Sequence, residues 1–236
     1  MYPMKLQAPL KDYIWGGKKL KTDYGKQTDL EKVSESWELA CHKDGMSIIE
    51  NGPEAGRTLQ AYLDEAGPEV LGEHAKKFPY FPLLIKLIDA KDNLSVQVHP
   101  DNDYAMRVEG EFGKTEMWYI VDCEPGATLI YGFKNKISKE EFEQRIADNT
   151  LLEVCNQVPV HKGDVFFIAS GTLHAIGKGI IICEIQQNSN TTYRVYDYGR
   201  VGKDGKPRSS DEGEFAILRT GRFRWVYRKP FSQTPP

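Results

Sequence analysis

The stretch Leu94-Ser95-Val96-Gln97-Val98-His99 alternates strictly, so on a strand Ser95, Gln97 and His99 share one face. Turning such a row inward is costly unless it serves a ligand or a metal. An amide oxygen and an imidazole nitrogen two residues apart can reach one ion. That ion calls for an anionic ligand for charge and a second imidazole for strength. Glu116, in Lys114-Thr115-Glu116-Met117-Trp118, and His174, in Gly171-Thr172-Leu173-His174, complete the set. Gln97, His99, Glu116 and His174 together offer O, N, O and N donors, suited to a divalent ion such as zinc with a position left open. Spacing alone does not separate this from the common alternative, a strand histidine hydrogen-bonded in a core.

Other residue types stand out singly. Lys86 sits within the apolar run 83–88, where alternation groups it with Leu84 and Ile88. A lysine there either snorkels outward or enters a polar pocket. Trp15 and Trp37 suit core packing or a pocket rim. His42 is a further candidate acid or base, also readable as a structural histidine. His74 and His161 lie in polar surroundings and receive no role.

Strands must position these groups. The runs 47–56, 81–93, 94–102, 116–127, 128–133, 163–171 and 180–186 are short, apolar and ended by Gly, Pro, Asn or Asp. Their even spacing predicts an all-β barrel or sandwich. Ser138 followed by Glu141, then Phe142 and Ile146, predicts a capped helix near 138–149. Residues 58–63 and 101–110 predict short helical segments. The polar, Gly-rich stretch from 201 and the Arg/aromatic mixture up to 236 read as a C-terminal extension.

Composition narrows the function classes. The 236 residues carry 31 Lys+Arg against 34 Asp+Glu, a net charge of −3. Such balance gives no electrostatic reason to bind nucleic acid or an anionic membrane. No apolar run approaches the roughly 20 residues of a membrane span. The first residues lack a basic-then-apolar leader, so the expectation is a cytoplasmic chain. The cysteines at 41, 123, 155 and 183 are scattered and predict free thiols.

The segment Gly163-Asp164-Val165-Phe166-Phe167-Ile168-Ala169-Ser170-Gly171-Thr172-Leu173-His174 resembles the second cupin motif, with Ala169 in the usual proline place. Tyr13-Ile14-Trp15-Gly16-Gly17, Glu35-Ser36-Trp37-Glu38-Leu39, Phe81 to Lys86, Leu94 to Pro100, Lys114 to Tyr119 and Thr191 to Asp197 resemble, in the same order, the short bacterial form of type I mannose-6-phosphate isomerases. The resemblance spans roughly residues 1 to 210. It implies an all-β fold, a cupin double-stranded β-barrel (jelly roll) with a few short helices, over residues 1–200. It implies zinc, one ion per chain, on Gln97, His99, Glu116 and His174. It implies interconversion of mannose 6-phosphate and fructose 6-phosphate through a cis-enediol, the partner being a small sugar phosphate. Lys86 and Ser95 would meet the phosphate, Trp15 would border the substrate, and Arg194 and Lys114 would be catalytic. The proton-transferring base stays open among Lys114, a zinc-bound hydroxide and a carboxylate or histidine that the sequence does not place, and oligomeric state is not readable. Asn190 departs from the usual Asp before the Thr-Thr-Tyr-Arg run. Residues 211–236 do not resemble the family's second domain, so that domain is expected to be absent. The competing readings are another cupin phosphosugar isomerase, a non-catalytic sugar-phosphate-binding cupin and a metal-dependent oxygenase.

Overall fold

The computed structural model describes residues 2–200. In chain order the strands begin with β1 (Leu6–Gln7), β2 (Leu10–Lys11), β3 (Glu35–Leu39), β4 (Cys41–His42) and β5 (Gly45–Met46). Next come β6 (Ile48–Ile49), β7 (Leu83–Ala90), β8 (Val96–Val98), β9 (Glu116–Cys123) and β10 (Thr128–Phe133). The last are β11 (Cys155–Pro159), β12 (Val165–Ile168), β13 (His174–Ala175), β14 (Ile180–Gln187) and β15 (Tyr193–Tyr196). The helices are α1 (Lys19–Thr22), α2 (Leu59–Ala66), α3 (Asn102–Val108), α4 (Lys139–Ala147) and α5 (Leu151–Val154). No helix among the described residues is long and apolar enough to cross a membrane.

Two antiparallel sheets carry the fold. The larger runs β12-β9-β14-β7-β3-β2 and the smaller β11-β10-β13-β8-β15. The expected mostly-β fold with few helices is therefore observed. Its two layers form a sandwich, and no ladder joins them among the described residues. Trp118, Ile120, Ile88, Ile182 and Ile180 of the larger sheet pack on Leu129, Ile176 and Val160, filling the space between layers. Apolar burial of this extent is the main stabilising term.

The alternation read from the sequence explains the smaller sheet's second function. Val96 and Val98 face away from the inter-sheet space and pack with Phe142 and Leu151 of α4 and α5. Ser95, Gln97 and His99 are thereby turned toward the larger sheet. Helix α4 begins where the capping pattern places it, the Ser138 side chain accepting from the Glu141 N–H at 3.1 Å. Thr58 caps α2 in the same way through the Ala61 N–H. The 47–56 run departs from expectation, since only Ile48–Ile49 is strand and the remainder is turn. Strand β11 and helices α1 and α5 were not expected. Their four or five residues carry too little periodicity to be recognised alone. The extension from residue 201 onward, including its expected lack of a second domain, lies outside the described residues.

Candidate metal centre and pocket

Register brings the four proposed ligands together. Gln97 of β8 is paired directly with His174 of β13, and on its other side with Arg194 of β15. Glu116 opens β9 in the opposite sheet, between Ile168 and Gln186. A tight crossing sets its height. A Cβ on Gly113 would lie 2.4 Å from the Asp101 carbonyl carbon, so glycine lets the chain press against residues 100–102. There the Lys114 N–H donates to the Pro100 carbonyl at 3.0 Å, next to His99.

The donor atoms converge. Glu116 Oε1 is 3.4 Å from His174 Nε2, and Glu116 Oε2 is 3.6 Å from His99 Nε2. The Gln97 amide lies 3.3 Å from His174 Nε2. One donor atom from each of His99, Glu116 and His174 lies within 4.8 Å of the others. A tetrahedral ion with bonds near 2.0–2.1 Å needs ligand separations of about 3.4 Å, so the spacing fits zinc. Amide oxygen and nitrogen are assigned from context, and rotating the Gln97 amide presents its oxygen to the same point.

The histidine tautomers fit as well. His99 Nδ1 is 3.0 Å from the Thr191 carbonyl and His174 Nδ1 is 2.8 Å from the Thr172 carbonyl. A carbonyl can only accept, so each Nδ1 carries the proton and each Nε2 presents a lone pair to the centre. Burial, followed by the Lys114 charge and the neighbouring His174, holds His99 well below its ordinary value. Burial brings His174 down to about 4. Both rings are neutral at pH 7, as ligation requires. Glu116 is fully enclosed. Apart from the Lys114 ammonium, 2.9 Å from Oε2, neither of its oxygens has a hydrogen-bond partner among the described residues. Burial first, and the Glu184 carboxylate second, push its carboxyl up to about 8. Buried lone pairs from three residues, pointed at one spot with only a lysine to answer them, make this cluster a candidate cation site.

A pocket of about 320 Å³ opens beside this cluster, and Trp15, Lys86, Ser95, Gln97, Lys114 and Arg194 are on its wall. Trp15 serves both of its candidate purposes, being 6% exposed in the core cluster and bordering the pocket. Arg194 donates from Nε to Ser95 Oγ at 3.3 Å. Lys86 does not snorkel. It is buried, 4.8 Å above the Trp37 ring, with Glu35 at 3.4 Å and Glu184 at 3.7 Å. Lys114 reaches Glu184 at 3.8 Å and His99 Nε2 at 3.2 Å. Burial alone would lower Lys114, but Glu116 and Glu184 outweigh it and hold it above the ordinary lysine value.

Glu35 and Glu184 were missed in the sequence reading. Both line the pocket, each accepting an indole N–H: Trp37 to Glu35 at 2.6 Å and Trp118 to Glu184 at 2.9 Å. The signal for Glu184 was the same as for Lys86, one charge in an apolar strand. Register sets the two side by side, with Trp37 and Trp118 flanking them across four strands. His42 is buried but outside the pocket wall, its ring facing Glu111 at 3.4 Å. His74 and His161 are exposed. Cys41, Cys123, Cys155 and Cys183 are free thiols.

Fold and site together define a cupin-type protein with a buried His/Glu/His cluster, next to which Gln97 and Lys114 line a pocket. Residues 4–123 match the model of the phosphomannose isomerase type I catalytic domain. The mannose-6-phosphate isomerase of Streptococcus mutans is 42% identical across 99% of this chain and 71% of its own length. ManA, a mannose-6-phosphate isomerase of Bacillus subtilis, is 44% identical over 87% of this chain and 64% of its own. The crystal structure of a mannose 6-phosphate isomerase from Bacillus subtilis superposes with a TM-score of 0.84 at 39% identity, covering 93% of this chain and 68% of that one. A zinc-bound mannose 6-phosphate isomerase structure shares the fold at 18% identity and a TM-score of 0.67, over 85% of this chain and 72% of that one. The chain therefore belongs to the type I phosphomannose isomerase family, and spans about two thirds of the length of these relatives.

Proposed function

We propose that this chain interconverts mannose 6-phosphate and fructose 6-phosphate, and that Gln97, His99, Glu116 and His174 hold one zinc ion. The observation that carries the reading is the donor cluster: two Nε2 lone pairs fixed by Nδ1 protonation, with a buried carboxylate 3.4 and 3.6 Å away. Bound zinc would supply Lewis acidity toward the hydroxyl and carbonyl oxygens of the sugar.

The remaining work falls to the chain. Isomerisation moves a proton between C2 and C1 through a cis-enediol, so it needs a proton acceptor and cations facing the developing oxygen charge. Arg194 and Lys114 both line the pocket, which supports assigning them this part. Lys114 stays charged beside Glu116 and Glu184, so it acts as a proton donor and electrostatic partner. The acceptor left open by the sequence reading falls to the pocket carboxylates, of which Glu184 and Glu35 are the two on the wall. Ser95 and Lys86 are assigned to the phosphate end. Family membership and the Lys114/Arg194 pair favour turnover over a merely binding role. The Gln ligand disfavours an oxygenase, whose iron is usually held by His and carboxylate.

The test is metal content together with a coupled isomerase assay, with and without chelator, on mannose 6-phosphate and two other phosphosugars. About one zinc per chain and chelator-sensitive turnover of mannose 6-phosphate are expected. Preference for glucose 6-phosphate would redirect the assignment to another phosphosugar isomerase, and binding without turnover to a non-catalytic cupin.

A further inference from the structure

A second cluster is centred on Glu111, in the connection from α3 to β9; the Glu111 side chain is not on the pocket wall. One oxygen, Oε2, is approached by three successive residues. The Asn190 N–H lies at 3.2 Å, Ser189 Oγ at 3.4 Å and Thr191 Oγ1 at 3.4 Å. The other oxygen, Oε1, faces Lys43 Nζ at 2.5 Å and His42 Nε2 at 3.4 Å. His42 Nδ1 accepts the Asp44 N–H at 3.1 Å, so the ring proton sits on Nε2 and points at Glu111. Glu111 thus has donors on both sides and is largely shielded, its side chain 13% exposed. Burial alone would raise its carboxyl, but Lys43, the Asn190 N–H and His42 hold it below the ordinary value.

The gripped turn is the one that orients a proposed ligand. Thr191 is bound through its hydroxyl to Glu111 and offers its carbonyl to His99 Nδ1 at 3.0 Å. Asn190, Thr192 and Arg194, on the same stretch, line the pocket. His174 has no such link, since its Nδ1 is held by Thr172, two residues away on its own chain segment. We propose that Glu111 is a positioning residue: by clamping residues 189–191 it keeps the Thr191 carbonyl on His99 and so fixes the tautomer and direction of that ligand. Direct outer partners of a ligating histidine, here the Thr191 carbonyl, typically govern metal affinity by 10- to 100-fold, and Glu111 acts on that partner. Charge-assisted bonds to an ionised carboxylate are stronger than neutral ones, which is why a glutamate suits this place.

The experiment uses the full chain and two readouts. In the metal-free protein, imidazole N–H signals of His99 and His174 are followed by nuclear magnetic resonance. Glu111→Ala, with Glu111→Gln as the volume-preserving variant, should speed exchange of the His99 Nδ1 proton at least tenfold and leave that of His174 unchanged. Zinc titration against a competing chelator should then show a dissociation constant raised about tenfold for Glu111→Ala. Leu151→Ala, in the helix-side core, is the control for general loosening and should lower the melting temperature without changing zinc affinity. The proposal is overturned if the His99 signal matches wild type in both Glu111 variants. It is also overturned if both histidine signals change together, or if Leu151→Ala weakens zinc equally. The affinity arm rests on the metal reading above. Wild-type protein that bound no zinc would refute that reading, while the imidazole arm would still decide the role of Glu111.

Discussion

Lys86→Met tests the charge arrangement of the pocket. Lys86 stands between two carboxylates, 3.4 Å from Glu35 and 3.7 Å from Glu184, with all three side chains at least nine-tenths buried. At an effective dielectric near 20, attraction at these distances is about 4–5 kcal/mol for each pair before desolvation. Methionine keeps the apolar stem against Trp37 but leaves Glu35 with only the Trp37 N–H among the described residues, and Glu184 with Lys114, which also serves Glu116, and the Trp118 N–H. Breaking such a network by removing one partner costs about 3–5 kcal/mol. For a domain of this size that is a loss of about 10 °C in melting temperature. The pH dependence has a definite sign. An unpaired buried carboxylate is relieved by taking up a proton, so the folded variant binds more protons than its unfolded chain in the range above the ordinary carboxylate value. Stability of the variant relative to wild type therefore recovers as pH falls from 7.5 to 5. Urea unfolding of the metal-free proteins at both pH values measures this. The double variant Lys86→Met/Glu35→Gln should regain much of the loss at pH 7.5. A penalty under 1 kcal/mol at pH 7.5, or one that is equal at pH 5 and not relieved by Glu35→Gln, would refute the reasoning.

Further expectations concern the metal and the reaction. His99→Ala and His174→Ala should each abolish stoichiometric zinc, read by metal analysis after dialysis; unchanged metal content and turnover would show the site assignment wrong. Zinc must displace the proton that Glu116 holds up to about pH 8, so zinc affinity should rise with pH by about tenfold per unit toward pH 8 and flatten above it, measured by chelator competition. Arg194→Met should lower kcat by about 100-fold or more, as loss of a charge facing the transition state does, with folding preserved by circular dichroism. Ser138→Ala removes the cap of α4 and should cost about 1 kcal/mol of stability without altering zinc affinity.

Much of this was legible because period-two alternation is a local property. Ser95, Gln97 and His99 had to share a face, and Lys86 had to lie with Leu84 and Ile88, whatever the rest of the chain did. The caps at Ser138 and Thr58 were equally local, each a side chain answering an N–H three residues on. Family resemblance then supplied what spacing left open, that Glu116 and His174 belong with Gln97 and His99. The sequence could not show that Glu35 and Glu184 flank Lys86, because that depends on the registers of β3, β7 and β14, strands separated by long stretches of chain. Nor could it show that Glu111 reaches around to residues 189–191, or that two backbone carbonyls set the histidine tautomers. A strand's own residues dictate which face a side chain takes, whereas the identity of its neighbour is decided only when sheets pair and pack. The sequence by itself therefore determined which side chains share the inward face and which donor types they offer. Tertiary structure decided the buried charge balance around them, because burial and distance, which set electrostatic energies, exist only in the folded chain.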